Sequence, residues 1–143
     1  MIVYSDGAAR GNPGPAGIGA VVIGSGGRYL AEVAEGIGTA TNNVAEYRAA
    51  IEGLRRARDL GAADVVLRAD SKLLIEQLAG RFKVRNQRLA ELHAQVRELA
   101  ATFRSISYEH VPRERNREAD RLANVGVDEW LRSAAQTPSG SRP

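Results

Sequence analysis

The chain has 143 residues, 43% of them hydrophobic, which is enough for one compact domain with its own core and too few for a second full domain. It has no cysteine and two histidines, which excludes disulfides, thiolate zinc sites and cysteine nucleophiles, so any metal should have oxygen ligands. The net charge of +3 is only mildly basic, and the absence of a signal peptide or an apolar run of transmembrane length predicts a cytoplasmic protein without membrane contact.

The hydrophobic pattern predicts the order strand, strand, strand, helix, strand, helix, helix, strand, helix. Short glycine-rich connections join the first three strands, which indicates an antiparallel meander. The fold class is therefore α/β, with a five-stranded mixed sheet flanked by helices. The predicted strands cover residues 2–5, 17–23, 29–36, 65–69 and 105–111. The predicted helices cover residues 44–60, 72–79, 87–103 and 117–132.

Four acidic residues occupy conspicuous places in this pattern. Asp6 and Asp70 each end a predicted strand, before a glycine-rich turn and before a helix respectively. Glu46 follows Asn43 by three residues, which places it in the first turn of the first helix. Asp120 falls about one turn into the last helix, which Asn116 can cap.

Each acid also has a simpler explanation. Glu46 can complete a capping box, Asp120 can lie on a solvated helix face, Asp6 can be a turn residue and Asp70 a helix-entry residue. The combination favours a site, because two aspartates that end adjacent strands meet at the carboxyl edge of a sheet. In open α/β sheets, ligands usually bind at that edge.

The contexts of the four acids resemble the four signature blocks of ribonuclease H type 1, in the family's order. The matching segments are DGAARGNPGPAGIGAVV, TNNVAEYRAAIEGL, ADSKLLIEQL and HVPRERNREADRLAN. The resemblance covers nearly the whole chain, and we assign residues 1–133 to a ribonuclease H type 1 domain. It implies the ribonuclease H-like fold, with the first and fourth strands side by side. It also implies an endonuclease that hydrolyses the RNA strand of RNA–DNA hybrids and leaves 5′-phosphate and 3′-hydroxyl ends.

The resemblance further implies a two-metal mechanism that uses Mg²⁺, with Mn²⁺ as an alternative. Asp6 and Asp70 would share the two ions, Glu46 would bind one of them, and Asp120 would complete the second site.

A further group often assists catalysis in this family, and His110 has the matching spacing of ten residues before Asp120. It ends a predicted strand, however, and does not lie in a glycine-rich loop. A satisfied strand-end histidine is therefore the favoured alternative, and Arg113 is the competing candidate for assistance.

Several polar residues match family positions that contact the hybrid. Asn12, Asn42 and Asn43 would contact its minor groove and the ribose 2′-hydroxyl, and Gly11 would let the backbone approach closely. The alternatives are a plain turn for Asn12 and helix capping for the other two asparagines. Lys72 occupies a contact position where relatives carry other side chains.

The connector between the second and third helices is short, so the chain resembles the short form of the family, which lacks the basic protrusion. Lys83 and Arg85, with Arg88, would partly replace it, and we expect weaker and less processive substrate binding. Other basic residues cluster at Arg55 to Arg58, where we favour an ordinary solvated face. A second cluster surrounds Asp120, where we favour phosphate contact.

Two other function classes fit the same fold: a nuclease that cuts DNA duplexes, and a nucleic-acid binding module without catalysis. The presence of all four acids argues against the second. Residues 134–143, AAQTPSGSRP, have the composition of a flexible tail or linker. Either a frayed terminus or a connection to a second domain fits, and relatives with such tails are sometimes fused to a phosphatase-like domain. We expect a monomer.

Overall fold

A computed structural model describes residues 1–136, so the predicted tail lies outside the described residues from residue 137 onward. The strands are β1 (Ile2–Ala9), β2 (Gly14–Ile23), β3 (Tyr29–Ala40), β4 (Asp64–Ala69) and β5 (Ser105–His110). The helices are α1 (Asn42–Asp59), α2 (Lys72–Leu78), α3 (Gln87–Ala100) and α4 (Arg117–Gln136). Within this part of the chain, no helix is both long enough and apolar enough to span a membrane.

The five strands form one mixed sheet in the order β3-β2-β1-β4-β5. Strands β1, β2 and β3 pair antiparallel, whereas β4 runs parallel to both β1 and β5. The predicted fold class is confirmed, including the contact between the first and fourth strands. Because Ser5 pairs with Ala69, the residues that follow each of them, Asp6 and Asp70, are brought to neighbouring positions.

The first three strands are longer than predicted. β1 continues to Ala9, and Asp6 pairs with Gly19 inside the antiparallel ladder, so the prediction that Asp6 ends its strand was wrong. The turn is confined to residues 10–13, because β2 already begins at Gly14 and pairs along the rest of β1. A glycine-rich sequence suggested a longer loop, yet Gly7, Gly14, Gly17 and Gly19 are paired residues of strands.

One face of the sheet packs against α1, which packs in turn against α3, and together they form the main core. α1 buries Tyr47, Ile51 and Leu54 at helical spacing, and these side chains contact the sheet through residues such as Val3 and Leu67. Burial of such side chains is the main source of stability of a domain of this size.

On the opposite face, α4 packs directly on the backbone of the sheet. A Cβ atom at Gly19 would lie 2.2 Å from the Ala119 carbonyl oxygen, and one at Gly17 would lie 2.4 Å from that of Ala123. At Gly36 it would lie 2.2 Å from the Cβ of Trp130. These three glycines, which we call the glycine surface, let the helix that carries Asp120 approach closely. α4 continues to Gln136, so residues 134–136 are helical, contrary to the predicted start of the tail.

Candidate active site

Four elements bring the predicted acids together at one edge of the sheet. Carboxylate oxygens of Asp6, Glu46 and Asp70, one from each residue, all lie within 4.8 Å of one another. They come from β1, from α1 and from the residue after β4. Asp120 approaches the cluster from α4, close enough for its carboxylate to contribute to the raised pKa of Asp6. The arrangement can hold divalent cations through oxygen ligands alone.

The position of Glu46 depends on a close contact between α1 and β1. Its Oε1 accepts a hydrogen bond from the Gly7 backbone N–H, at 3.0 Å. A Cβ at Gly7 would lie 2.3 Å from the carbonyl carbon of Ala45, so this approach requires glycine.

Glu46 therefore does not complete a capping box. The N-cap is Thr41, whose hydroxyl accepts from the Val44 N–H at 3.2 Å, and the helix begins at Asn42. Glu46 consequently lies in the second turn and not in the first. Neither Asn42 nor Asn43 is the N-cap, so that alternative was wrong for both. Residue 41 was missed because the Asn-Asn pair after it has equally strong capping chemistry.

Asn116 links the strand of Asp6 to the helix of Asp120. It is only 1% exposed, and its Nδ2 donates to the Ser5 carbonyl at 2.9 Å. The backbone carbonyl of Asn116 accepts a hydrogen bond from the Asp120 N–H at 3.1 Å. The predicted side-chain cap was wrong, because Oδ1 has no hydrogen-bond partner within residues 1–136, as is also true of the Ser5 hydroxyl. Asn116 is thus a residue of the site that the capping pattern assigned to another role.

The electrostatics of the cluster show a deficit of positive charge. Burial, together with the nearby carboxylate of Glu46, raises the pKa of Asp6 to about 10. Burial also raises the pKa of Glu46 to about 8, although the Gly7 hydrogen bond opposes that shift. Each carboxylate therefore favours a proton unless another positive charge is present. Oxygen donors in this state fit a hard divalent cation.

Both predicted assisting residues lie beside Asp70. His110 ends β5, and its Nε2 lies 3.3 Å from the Asp70 carbonyl oxygen. Arg113 Nε lies 3.6 Å from Asp70 Oδ2, and the arginine side chain is 84% exposed. His110 is thus engaged with a backbone group, as the simpler alternative proposed, while Arg113 presents its charge to solvent next to the cluster.

The predicted substrate-binding asparagines form a bridge next to the acids. Asn12 Oδ1 accepts from the Asn42 N–H at 3.0 Å, and Asn42 Oδ1 accepts from the Ala9 N–H at 3.2 Å. The bridge joins the β1–β2 turn to the start of α1. Gly11 adopts a φ of 100°, in the left-handed region that favours glycine.

A cleft of about 330 Å³ opens beside this bridge. We had not singled out its residues Thr41 and Asn86, although Asn86 caps α3 by accepting from the Leu89 N–H at 3.0 Å and so carries a recognisable capping signal. The other predicted cations, Lys72, Lys83 and Arg85, are exposed on α2 and on the connector to α3. The polar residues that line the cleft are Asn12, Thr41, Asn43, Asn86 and Arg88.

Comparison with known proteins gives the same assignment at several levels. A family model described as reverse transcriptase-like matches residues 4–126. The bifunctional protein Rv2228c of Mycobacterium tuberculosis is 52% identical over 136 residues, which cover 94% of this chain and 37% of the relative. A ribonuclease H of Pseudomonas entomophila is 34% identical over 89% of this chain and 93% of its own length. The chain thus spans little more than a third of the mycobacterial protein.

Two solved structures extend the comparison to the fold. The crystal structure of RNase H1 from Halobacterium salinarum has a TM-score of 0.87 at 44% identity, covering 90% of this chain and 97% of that one. LC11-RNase H1, solved in complex with an RNA/DNA hybrid, has a TM-score of 0.86 at 40% identity, covering 91% and 98%. The chain belongs to the ribonuclease H type 1 family.

Proposed function

We propose that this chain is a metal-dependent endoribonuclease that hydrolyses the RNA strand of RNA–DNA hybrids and leaves 5′-phosphate and 3′-hydroxyl ends. The observation that carries the proposal is the cluster of the Asp6, Glu46 and Asp70 carboxylates, which Asp120 on α4 approaches closely enough to affect the charge of Asp6. The relative whose structure contains an RNA/DNA hybrid supports the choice of substrate.

Asp6, Glu46, Asp70 and Asp120 would hold two Mg²⁺ ions, with Mn²⁺ as an alternative. The donors are all carboxylate oxygens, and the raised pKa values of Asp6 and Glu46 mark a site that favours added positive charge. Divalent ions bound there would neutralise the scissile phosphate and make water a better nucleophile. Asp6 has Glu46, Asp70 and Asp120 as charged neighbours, and Asp6 and Asp70 would be the carboxylates shared by the two ions.

The protein groups around Asp70 would handle the phosphate and the proton. Arg113 presents an exposed guanidinium next to Asp70, where it can contact a nonbridging phosphate oxygen. His110 donates its Nε2–H to the Asp70 carbonyl oxygen, so it could exchange that proton with the substrate only after this hydrogen bond breaks. A His110→Gln variant that keeps the rate and its pH dependence would favour the structural role, whereas a lost basic limb would favour proton transfer.

The asparagine bridge and the cleft would bind the two strands of the hybrid. Asn12, Asn42 and Asn43 supply amide groups for the ribose 2′-hydroxyl, which distinguishes RNA from DNA. Gly11 lets the turn approach the sugar. The cleft would take a phosphate of the opposite strand, because its amide, hydroxyl and guanidinium groups are phosphate ligands.

The exposed cations of the connector would add sequence-independent affinity. We expect charge reversal at Lys83, Arg85 and Arg88 to weaken hybrid binding at low salt, while reversal of three other exposed arginines, Arg28, Arg97 and Arg132, changes little. Unchanged affinity at low salt in the triple variant would argue against this role. Lys72 lies at the start of α2, two residues from Asp70, where it can contact the backbone of the cleaved strand.

The proposed function is tested with labelled RNA·DNA, RNA·RNA and DNA·DNA duplexes in Mg²⁺ or Mn²⁺. We expect cleavage of the RNA in the hybrid alone, and we expect Asp70→Asn to abolish cleavage while it retains binding. Asp59→Asn, at the exposed end of α1, removes the same charge and should cleave normally. Cleavage of the DNA duplex would indicate another nuclease of this fold, and binding without metal-dependent cleavage would indicate a binding module.

The longer mycobacterial relative is named as bifunctional, which fits the alternative of a connection to a second domain. The domain limit at residue 133, the monomeric state and the cytoplasmic location stay predictions.

A further inference from the structure

A continuous furrow runs between α1 and α3, away from the active-site edge. It consists of two adjoining clefts that begin where the asparagine-lined cleft ends. Arg88 lines both the asparagine-lined cleft and the first cleft of the furrow, and Arg55 and Gln95 line both clefts of the furrow. We call this continuous depression the α1–α3 furrow.

Arginine is the dominant charged residue of the furrow. Arg48, Arg55 and Arg58 on α1 are spaced by seven and three residues, so they share one helix face and span about 15 Å along its axis. Arg88 joins them from α3. Two glutamates, Glu52 and Glu98, also line the furrow, so four positive charges face two negative ones.

These arginines are available to an external anion. Arg55 pairs with Glu52, Arg58 with Asp59 and Arg88 with Glu91. The three arginine side chains are 45–54% exposed, and ion pairs of such exposed groups are weak. Arg48 has no ion-pair partner within residues 1–136. Exchanging these partners for phosphate oxygens therefore costs little, and arginine offers phosphate two parallel donors.

We propose that the α1–α3 furrow binds the phosphodiester backbone of a single strand that extends beyond the cleaved hybrid. The inference rests on the proposed function, because the furrow starts at the cleft assigned to a substrate phosphate. The three arginines of α1 form a single row about 15 Å long, which matches one phosphodiester backbone and does not reach across a duplex. The charged lining residues contact phosphates and not bases, which makes the binding independent of sequence. The proposal gives Arg55 and Arg58 a role beyond the solvated face that we favoured from the sequence.

The test compares two triple variants with the same net charge. The furrow variant carries Arg48→Gln, Arg55→Gln and Arg58→Gln. The control variant carries three substitutions at exposed arginines outside the furrow, Arg28→Gln, Arg97→Gln and Arg132→Gln. Both are built on Asp70→Asn, so that binding is measured without cleavage, and circular dichroism establishes that each variant is folded.

Fluorescence polarisation is measured against salt on a blunt hybrid and on hybrids with a single-stranded DNA or RNA extension at either end. We expect the control variant to bind one of the extended hybrids more tightly than the blunt hybrid, whereas the furrow variant gains nothing from the extension. The two variants should bind the blunt hybrid with equal affinity. The salt slope on that extension should fall by about 0.7 for each lost contact, or about 2 in all. The extension that responds identifies the strand and its direction.

Equal binding of every substrate by the two triple variants would overturn the furrow proposal. The furrow proposal would also be overturned if the wild-type protein cleaves the blunt hybrid and no extension strengthens binding. In that case the proposed function would stand. Failure of the proposed function gives a separate result, which is the absence of metal-dependent cleavage of the blunt hybrid by the wild-type chain.

Discussion

Replacing Asp6 with asparagine should stabilise the metal-free protein at neutral pH. Asp6 is 5% exposed and lies among Glu46, Asp70 and Asp120, so its ionised form is disfavoured in the folded state. Asparagine keeps the size of the side chain and removes the ionisable group. The site would lose a metal ligand and the fold would lose a source of repulsion.

The magnitude follows from the raised pKa of Asp6, about 10 against an ordinary value of 3.8. Below pH 4 the carboxyl is protonated in both folded and unfolded chains and costs nothing. Above pH 4 the unfolded chain loses the proton first, so stability falls as the pH rises, by about 1.4 kcal/mol per unit. The upper limit at pH 7 is therefore about 4 kcal/mol, and we expect about 2–4 because the four acids titrate together.

The measurement is thermal unfolding in EDTA from pH 4 to pH 8, for wild type and Asp6→Asn. A gain of this size corresponds to roughly 5–15 °C in Tm at pH 7 for a domain of this length. The difference should shrink towards zero near pH 4. Added Mg²⁺ should raise the Tm of the wild type more than that of the variant, since only the wild type keeps the full ligand set.

A difference in Tm that is the same at pH 4 and pH 7 would refute this reasoning, because it would show that the gain does not come from ionisation. A variant less stable than wild type at pH 7 would refute it as well. Asp128→Asn is the matched control: Asp128 is exposed on α4 and pairs with Arg10, so its removal should not stabilise the protein.

Three further predictions concern residues that support the site. Asn116→Ala should cost about 1–3 kcal/mol in urea unfolding and weaken calorimetric Mg²⁺ binding, because it removes the bond to the Ser5 carbonyl; unchanged Mg²⁺ affinity would limit Asn116 to a structural role. Gly7→Ala should destabilise by about 1–3 kcal/mol, since its Cβ would meet the Ala45 carbonyl carbon, and a wild-type Tm would contradict that contact. Gln77→Leu should cost about 1–3 kcal/mol by leaving the buried Tyr47 hydroxyl without its acceptor at 2.6 Å, and adding Tyr47→Phe should recover part of the loss unless the bond is unimportant.

The acids were predictable from the sequence because their contexts resemble the four signature blocks of ribonuclease H type 1 in order. Asp70 follows a short apolar strand, and Asp120 lies on a helix with clear periodicity. The limits of β1 and β2 were not predictable to the same degree, because glycine is a poor local signal of a strand. Its presence in β2 reflects the packing of α4, which is a tertiary contact.

The N-cap of α1, the role of Asn116 and the α1–α3 furrow were also not predictable from the sequence. Thr41, Asn42 and Asn43 are all good N-caps, and only the hydrogen bond to Val44 selects the first. The side chain of Asn116 was assigned to its own helix, whereas burial directs it to Ser5, 111 residues away. The α1–α3 furrow depends on which helices pack side by side, which the spacing of arginines along one helix does not specify.

The glycine surface determines how the acidic cluster responds to substitutions in the core. The glycine surface brings the main chain of β2 into direct contact with α4. The spacing between α4 and the sheet therefore does not change when one aliphatic residue replaces another in the core on the opposite face. The distance between α4, which carries Asp120, and the sheet is therefore fixed by backbone contact. The distance between α1, which carries Glu46, and the sheet depends on the sizes of the core side chains. Substitutions in the core should therefore displace Glu46 before they displace Asp120.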